Sequence, residues 1–147
     1  MGEKYVVFQI GEGNYSIPLK EVFQIIRYEN LTGVPTAPPF VDGVINVGGD
    51  VIPVVNLRAR FSLERGEVTR KNRVIIVQKQ EVRYGILVDS VREILDLDRD
   101  NVASEAASVF GMKSEFVRGI VKIRDYILVL LDIFKVLSTA PEISIKE

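Results

Sequence analysis

The chain has 147 residues, 47% of them apolar, and its 19 Lys+Arg against 20 Asp+Glu leave a net charge of −1. That is enough for one domain or two small packed units, and the balanced charge, with no basic stripe, argues against nucleic-acid binding driven by phosphate contacts. Cysteine and histidine are both absent, which removes disulfides, thiolate nucleophiles, zinc–thiolate sites and the commonest general base, so no cofactor or metal is expected.

The opening Met1-Gly2-Glu3-Lys4-Tyr5 places no apolar run behind a basic patch, so no secretory signal is expected. The longest apolar stretch, Tyr126–Leu131, is far short of the roughly 20 residues that span a bilayer. The expectation is a soluble, cytoplasmic protein with no direct membrane insertion. Residues 5–10 (YVVFQI) are aromatic and β-branched and read as a strand. Gly11-Glu12-Gly13-Asn14 then reads as a hairpin turn; it lacks the third glycine and the Lys-Ser/Thr of a phosphate loop. Tyr15-Ser16-Ile17 continues as a strand, and Val22, Ile25 and Ile26 read on their own as core positions.

Residues 43–57 (GVINVGGDVIPVVNL) read as strand, turn and strand, with Gly48-Gly49-Asp50 as the turn and Asn56 as the N-cap of a short helix ending near Phe61. Pro53 lacks a ladder donor and is expected at an edge or bulge. Arg58 and Arg60 read as a solvated face, with rim ion pairs of about 0–1 kcal/mol each. Residues 73–78 and 82–88 form a second hairpin pattern around Lys79-Gln80-Glu81. Asp96, Asp98 and Asp100 alternate, but no glycine and no closing glutamate follow at calcium-loop spacing, so an EF-hand is rejected. Residues 104–115 (SEAASVFGMKSE) read as a loop anchored by Phe110 and Met112 on the second unit.

An internal repeat organises these pieces. Residues 119–133 (GIVKIRDYILVLLDI) match 43–57 at an offset of 76, with Asp132 in the place of the Asn56 cap and a helix expected to end near Leu137. Tyr15, Ile17, Leu19 and Val22 match Tyr84, Ile86, Val88 and Val91 at an offset of 69. The difference falls in the intervening segments, where closure entropy grows slowly with length. The chain is therefore expected to be one domain, 1–147, with unit 5–72 as a first barrel, unit 73–137 as a second barrel and a tail, 138–147; strand exchange between the barrels is left open. Short strands with turn residues between them favour an all-β protein of two small barrels with short helices over a doubly wound α/β sheet.

Taken in order, Ala37-Pro38-Pro39-Phe40-Val41-Asp42-Gly43-Val44-Ile45-Asn46-Val47, Gly49, 51–58 (VIPVVNLR) and Phe61 resemble the signature of CheW-type coupling proteins. The opening YVVF at 5–8, Gly85-Ile86-Leu87-Val88-Asp89 and Leu131-Asp132-Ile133 agree with it, so the similarity runs from about residue 5 to 137. The resemblance implies two similar five-stranded SH3-like β-barrels packed side by side. It also implies a non-enzymatic adaptor that bridges the regulatory domain of the histidine kinase CheA and the cytoplasmic tip of chemoreceptors, recruited to membrane-associated arrays. That regulatory domain is itself CheW-like, so the two can alternate in rings. Receptor contact in the groove between barrels would fall on Val22, Gln24, Gly43, Val44 and Gly48. The residues that touch the kinase are unassigned, with Phe110 as the one candidate.

Two of these positions depart from the usual pattern: Gln24 stands where many relatives have Glu, and Gly48 where many have Arg. Two charge-assisted groups are thereby lost, which points to a mainly apolar receptor contact or to a paralogue in a divergent array, such as one for twitching or gliding. Gly43 reads first as a backbone requirement, because Gly119 repeats it. Rival classes are a small-barrel module binding an oligonucleotide or ligand and an enzyme built on Asp89 and Glu93. The first needs exposed aromatic clusters and the second a deep pocket with a perturbed carboxylate.

Overall fold

The computed structural model describes residues 2–29, 31–35, 39–98 and 114–138. Ten strands carry the fold: β1 (Glu3–Ile10), β2 (Gly13–Pro18), β3 (Val22–Arg27), β4 (Val41–Val47), β5 (Asp50–Asn56), β6 (Arg73–Lys79), β7 (Val82–Val88), β8 (Ser90–Leu97), β9 (Val117–Ile123) and β10 (Tyr126–Leu131). Two short helices follow β5 and β10, α1 (Leu57–Arg60) and α2 (Ile133–Ser138). Single 3-10 turns occupy Leu19–Glu21 and Ser114–Phe116.

The strands form two five-stranded sheets of SH3-like barrel type, ordered β8-β1-β2-β10-β9 and β3-β6-β7-β5-β4. Each sheet draws on both sequence units. The second, or central, barrel takes β3 to β5 from the first unit and β6-β7 from the second; the terminal barrel takes β1-β2 from the first and β8 to β10 from the second. The boundary at 72/73 thus divides the sequence repeat and not the barrels. Exchanging the leading hairpins maps one order onto the other, and the details follow. The parallel pair Val54↔Gly85 repeats as Leu130↔Ser16. The bulge that skips Phe23 on β3 repeats at Arg92 on β8, and the one that skips Asp42 on β4 repeats at Arg118 on β9. Bulges re-aim side chains, and all four skipped residues recur below.

Successive strand residues point to opposite faces, and here both faces are buried. On β1, Tyr5 and Val7 fill the terminal barrel while Val6, Phe8 and Ile10 face the other sheet; on β6, Val74 and Ile76 fill the central barrel while Ile75 and Val77 face the layer between the barrels. The largest apolar layer is therefore the one between the barrels, joined by Leu57 of α1 and by Ile133, Val136 and Leu137 of α2. Double burial explains why these strands read as unbroken apolar runs. It also means that the seam expected between the barrels is filled through its middle and open only at its rims.

Both caps form as expected. Asn56 accepts from the Ala59 amide at 3.1 Å and Asp132 from the Lys135 amide at 3.2 Å. Pro53 is not at an edge: β5 lies between β7 and β4. Both backbone groups of Val44 turn to Thr32 (2.8 and 3.0 Å), so the Val44–Pro53 pair makes no ladder bonds, and pairing with β7 starts only at Val54. The missing donor falls where no ladder bond is needed. Among the described residues, no helix is long and apolar enough to cross a membrane.

Candidate partner-docking surfaces

The five receptor candidates all lie on the central barrel, in two groups. Val22 and Gln24 flank the bulged Phe23 on β3, while Gly43 and Val44 lie on β4 and Gly48 in the β4–β5 turn. β3 and β4 are the two ends of the sheet order. Val22 packs its side chain against the inter-barrel layer and Gln24 is exposed. Gly48 and Gly49 are both left-handed (φ 59° and 95°), as a two-residue primed turn demands, and Asn46 accepts from the Gly49 amide at 3.0 Å.

Gly43 is buried with φ 149°, and a Cβ there would stand 2.4 Å from the Thr32 carbonyl oxygen. Its lack of a side chain lets residues 31–32 lie across β4. Val44 is half-buried under the same crossing segment. Phe110, the candidate for kinase contact, lies outside the described residues, as do Met112 and Asp100.

Phe23 stays 46% exposed, and the Arg83 guanidinium lies 3.7 Å from its ring centroid and pairs with Asp50 at 2.5 Å. Val51 (62% exposed) and Val82 (49%) belong to the same barrel. The matching positions on the terminal barrel hold the same kind of knot with its residues permuted. There Arg92, in the place of Phe23, stacks on Tyr126, in the place of Asp50, at 4.2 Å. The Tyr126 hydroxyl donates to Glu93 at 2.9 Å, and burial, then that bond, pushes its pKa up.

Arg58 makes the expected rim ion pair, but neither Arg58 nor Arg60 lies on a fully solvated face. Arg58 makes a two-pronged pair with Asp89 (2.8 and 2.6 Å), and Asp89 also accepts from the Gly11 amide at 2.8 Å. The Arg58 pKa is raised, chiefly by the bond to Asp89. Arg60 is clamped between the Phe40 and Phe116 rings at 5.2 and 4.9 Å and donates to the Val136 carbonyl at 3.1 Å; burial lowers its pKa. A lone arginine two or four residues after a cap gives no sequence sign of such partners. Asp89 and Glu93, the carboxylates of the enzyme alternative, are engaged separately, by Arg58 and by Tyr126 with Arg124. No group of acidic residues among the described residues is arranged to hold a metal ion.

Two rims of the inter-barrel layer differ in shape. Beside α1, a polar recess of about 110 Å³ is lined by Asp42, Asn56, Arg58, Arg65 and Asp89 and is covered by the segment that carries Arg65. Beside α2, wider clefts of about 380 and 230 Å³ share Lys79 and Phe134. The larger also takes in Glu21, Arg118 and Asp132. Glu21 is mostly buried, one of its oxygens has no hydrogen-bond partner, and burial raises its pKa against the opposing pull of Arg118 at 3.8 Å.

The family model for the CheW-like domain matches residues 4–140. The chain is 34% identical to the chemotaxis protein CheW of Thermotoga maritima over 95% of this chain and 89% of that protein. It is 31% identical to CheW of Bacillus subtilis over 89% of this chain and 84% of that one. The crystal structure of the scaffolding protein TtCheW from Thermoanaerobacter tengcongensis superposes with a TM-score of 0.82 at 30% identity, covering 90% of this chain and 85% of that one.

Proposed function

The chain belongs to the CheW-like domain family, and on that premise we propose that it is a scaffold without chemistry of its own, coupling chemoreceptors to the histidine kinase CheA. The observation that carries this reading is the inter-barrel layer. Two barrels that share one buried core are joined through a common apolar layer, so a partner bound on one barrel is mechanically tied to a partner bound on the other. A receptor motion can then shift a kinase equilibrium through differential contacts, and repeated copies in an array raise the effective concentration of individually modest interfaces. The scaffold works in the cytoplasm, at the membrane-associated receptor array.

We place the receptor tip on the central barrel, against Val22, Gln24, Val44 and Gly48, with Gly43 shaping the backbone beneath. Without a carboxylate at 24 or a guanidinium at 48, the contact is mainly apolar; the exposed Phe23 ring and half-buried Val44 support that. The kinase regulatory domain binds a different surface. The test is parallel capture of a receptor tip and of the kinase regulatory domain by wild type and Val44→Asp. Receptor capture is expected to fall at least tenfold while kinase capture and the melting temperature hold. Equal loss of both partners with a lowered melting temperature would assign Val44 to the core.

A further inference from the structure

The internal symmetry permits each tie between the barrels to be compared with its counterpart. At the α1 rim, Arg58 follows the central-barrel strand β5, Asp89 joins β7 to β8, and Gly11 caps the β1–β2 turn of the terminal barrel. The three are bonded at 2.6 to 2.8 Å, the Asp89 amide adds a bond to the Gln9 carbonyl at 3.0 Å, and the Glu64 carbonyl fixes Arg58 from behind at 3.0 Å. This strut crosses from one barrel to the other. By the offsets of 76 and 69, its counterparts at the α2 rim are Phe134, Lys20 and Gln80. The correspondence holds in the backbone, since Gln80 is left-handed like Gly11 (φ 58° and 59°). The chemistry does not carry over. Lys20 pairs at 3.2 Å with Glu3 of the terminal barrel, Phe134 is covered by Lys79 at 5.4 Å, and among the described residues the two clefts lie beside Phe134, one reaching Gln80 and the other Glu21.

We propose that the barrels rock asymmetrically: the Arg58–Asp89–Gly11 strut is the fixed edge, and the α2 rim at Phe134, Lys20 and Gln80 is the edge that opens and closes when a partner engages. The buried layer between the barrels holds them together, so the motion is a rocking over that layer and not a separation. Hinge motions of packed units turn on a few element-terminal residues, which is where all six positions lie. Only the partner-dependent part rests on the adaptor reading.

A chain without cysteine accepts spin labels only where they are introduced. Pairs at Glu12/Ala59 and Glu81/Lys135 occupy equivalent places across the fixed and the open edge. The distance distribution of the second pair is expected to be at least twice as wide as that of the first. Arg58→Ala should widen the first pair to match the second, and Arg58→Lys, which keeps the charge but loses the fork, should widen it partly. Receptor tip should narrow the Glu81/Lys135 distribution and leave Glu12/Ala59 unchanged. Equal widths in the wild-type background, or no response to either Arg58 substitution, would overturn the proposal. Should the wild-type chain bind no receptor tip, the adaptor reading fails, while the two widths still decide the hinge.

Discussion

Gly43→Ala separates a backbone requirement from a partner contact at the most buried of the receptor candidates. The residue sits at φ 149°, where an L side chain costs about 1–3 kcal/mol. The added carbon would also lie 2.4 Å from the Thr32 oxygen and 3.1 Å from Leu31 Cβ, so the crossing segment must withdraw. Withdrawal breaks the Thr32–Val44 bonds of 3.0 and 2.8 Å, each with a net contribution of about 0.5–1.5 kcal/mol, and uncovers Leu31, which packs on the central-barrel core. The φ cost and the two bonds together come to about 2–6 kcal/mol, before any loss at Leu31, a large share of the roughly 5–15 kcal/mol that holds a domain together. At about 2–4 °C per kcal/mol for a chain of this size, the melting temperature should fall by around 10 °C. Urea unfolding gives the free energy, and well below the transition the kinase should bind almost as tightly as to wild type, while the receptor, which meets Val44 beside the displaced segment, should bind less tightly. A melting temperature within 2 °C of wild type together with lost receptor binding would refute the reasoning and make Gly43 a contact residue.

Three further outcomes follow from the packing and the charges. Ile75→Ala empties a fully buried position in the layer between the barrels and should cost about 2–5 kcal/mol, with one cooperative transition by every probe; two resolved transitions would mean that the barrels fold independently. A double-mutant cycle of Arg58→Ala and Asp89→Ala should give a coupling of about 1–2 kcal/mol, because the pair is forked and only 28% and 26% exposed, whereas a coupling near zero would reduce it to the rim ion pair read from sequence. Glu21 has a folded pKa above its ordinary value of 4.5 because burial outweighs Arg118, so its charged form costs stability at neutral pH and that cost is relieved as pH falls through the folded value toward 4.5. Glu21→Gln should therefore melt above wild type at pH 7 and lose that advantage near pH 4; a lower melting temperature at pH 7 would show that the attraction to Arg118 dominates.

The strand pattern, both caps and the duplication were legible because each leaves a local trace: a period of two, an Asn or Asp after an apolar strand, a matched block 76 residues on. Pairing across the chain leaves none. That β1-β2 serve the terminal barrel and β6-β7 the central one is invisible in sequence, since an exchanged hairpin buries the same alternating residues as one that stays with its own unit. The same holds for the site. Gly43 was readable as a backbone requirement because Gly119 repeats it, but the segment that demands it, at Thr32, carries no pattern. Pro53, expected at an edge or bulge, sits on an inner strand beside the β4 bulge, where its own register position needs no ladder bond. Arg58 and Arg60 read as a solvated face because their partners lie 31 and 76 residues away.

A duplicated fold, left symmetric, would offer one surface twice, and an adaptor for two unlike partners needs two different surfaces. The backbone here remains nearly symmetric: parallel pairs, bulges and left-handed turn residues recur at equivalent places. The difference lies in the residues that the bulges turn outward. Phe23 on one barrel becomes Arg92 on the other, and Asp42 becomes Arg118. Asp42 is held by Arg65 and Asn56 under a covering segment, whereas Arg118 stands 44% exposed between Glu21 and Asp132 beside an open cleft. Exchanging aromatic for cation and anion for cation at the bulges leaves the buried layer between the barrels untouched, so the two outer surfaces can diverge without repacking it. The same reasoning explains why the strut is present once. Asp89 and Lys20 are equivalent in backbone and opposite in charge, and Phe134 stands in the place of Arg58, so the forked pair that ties one rim has no counterpart at the other.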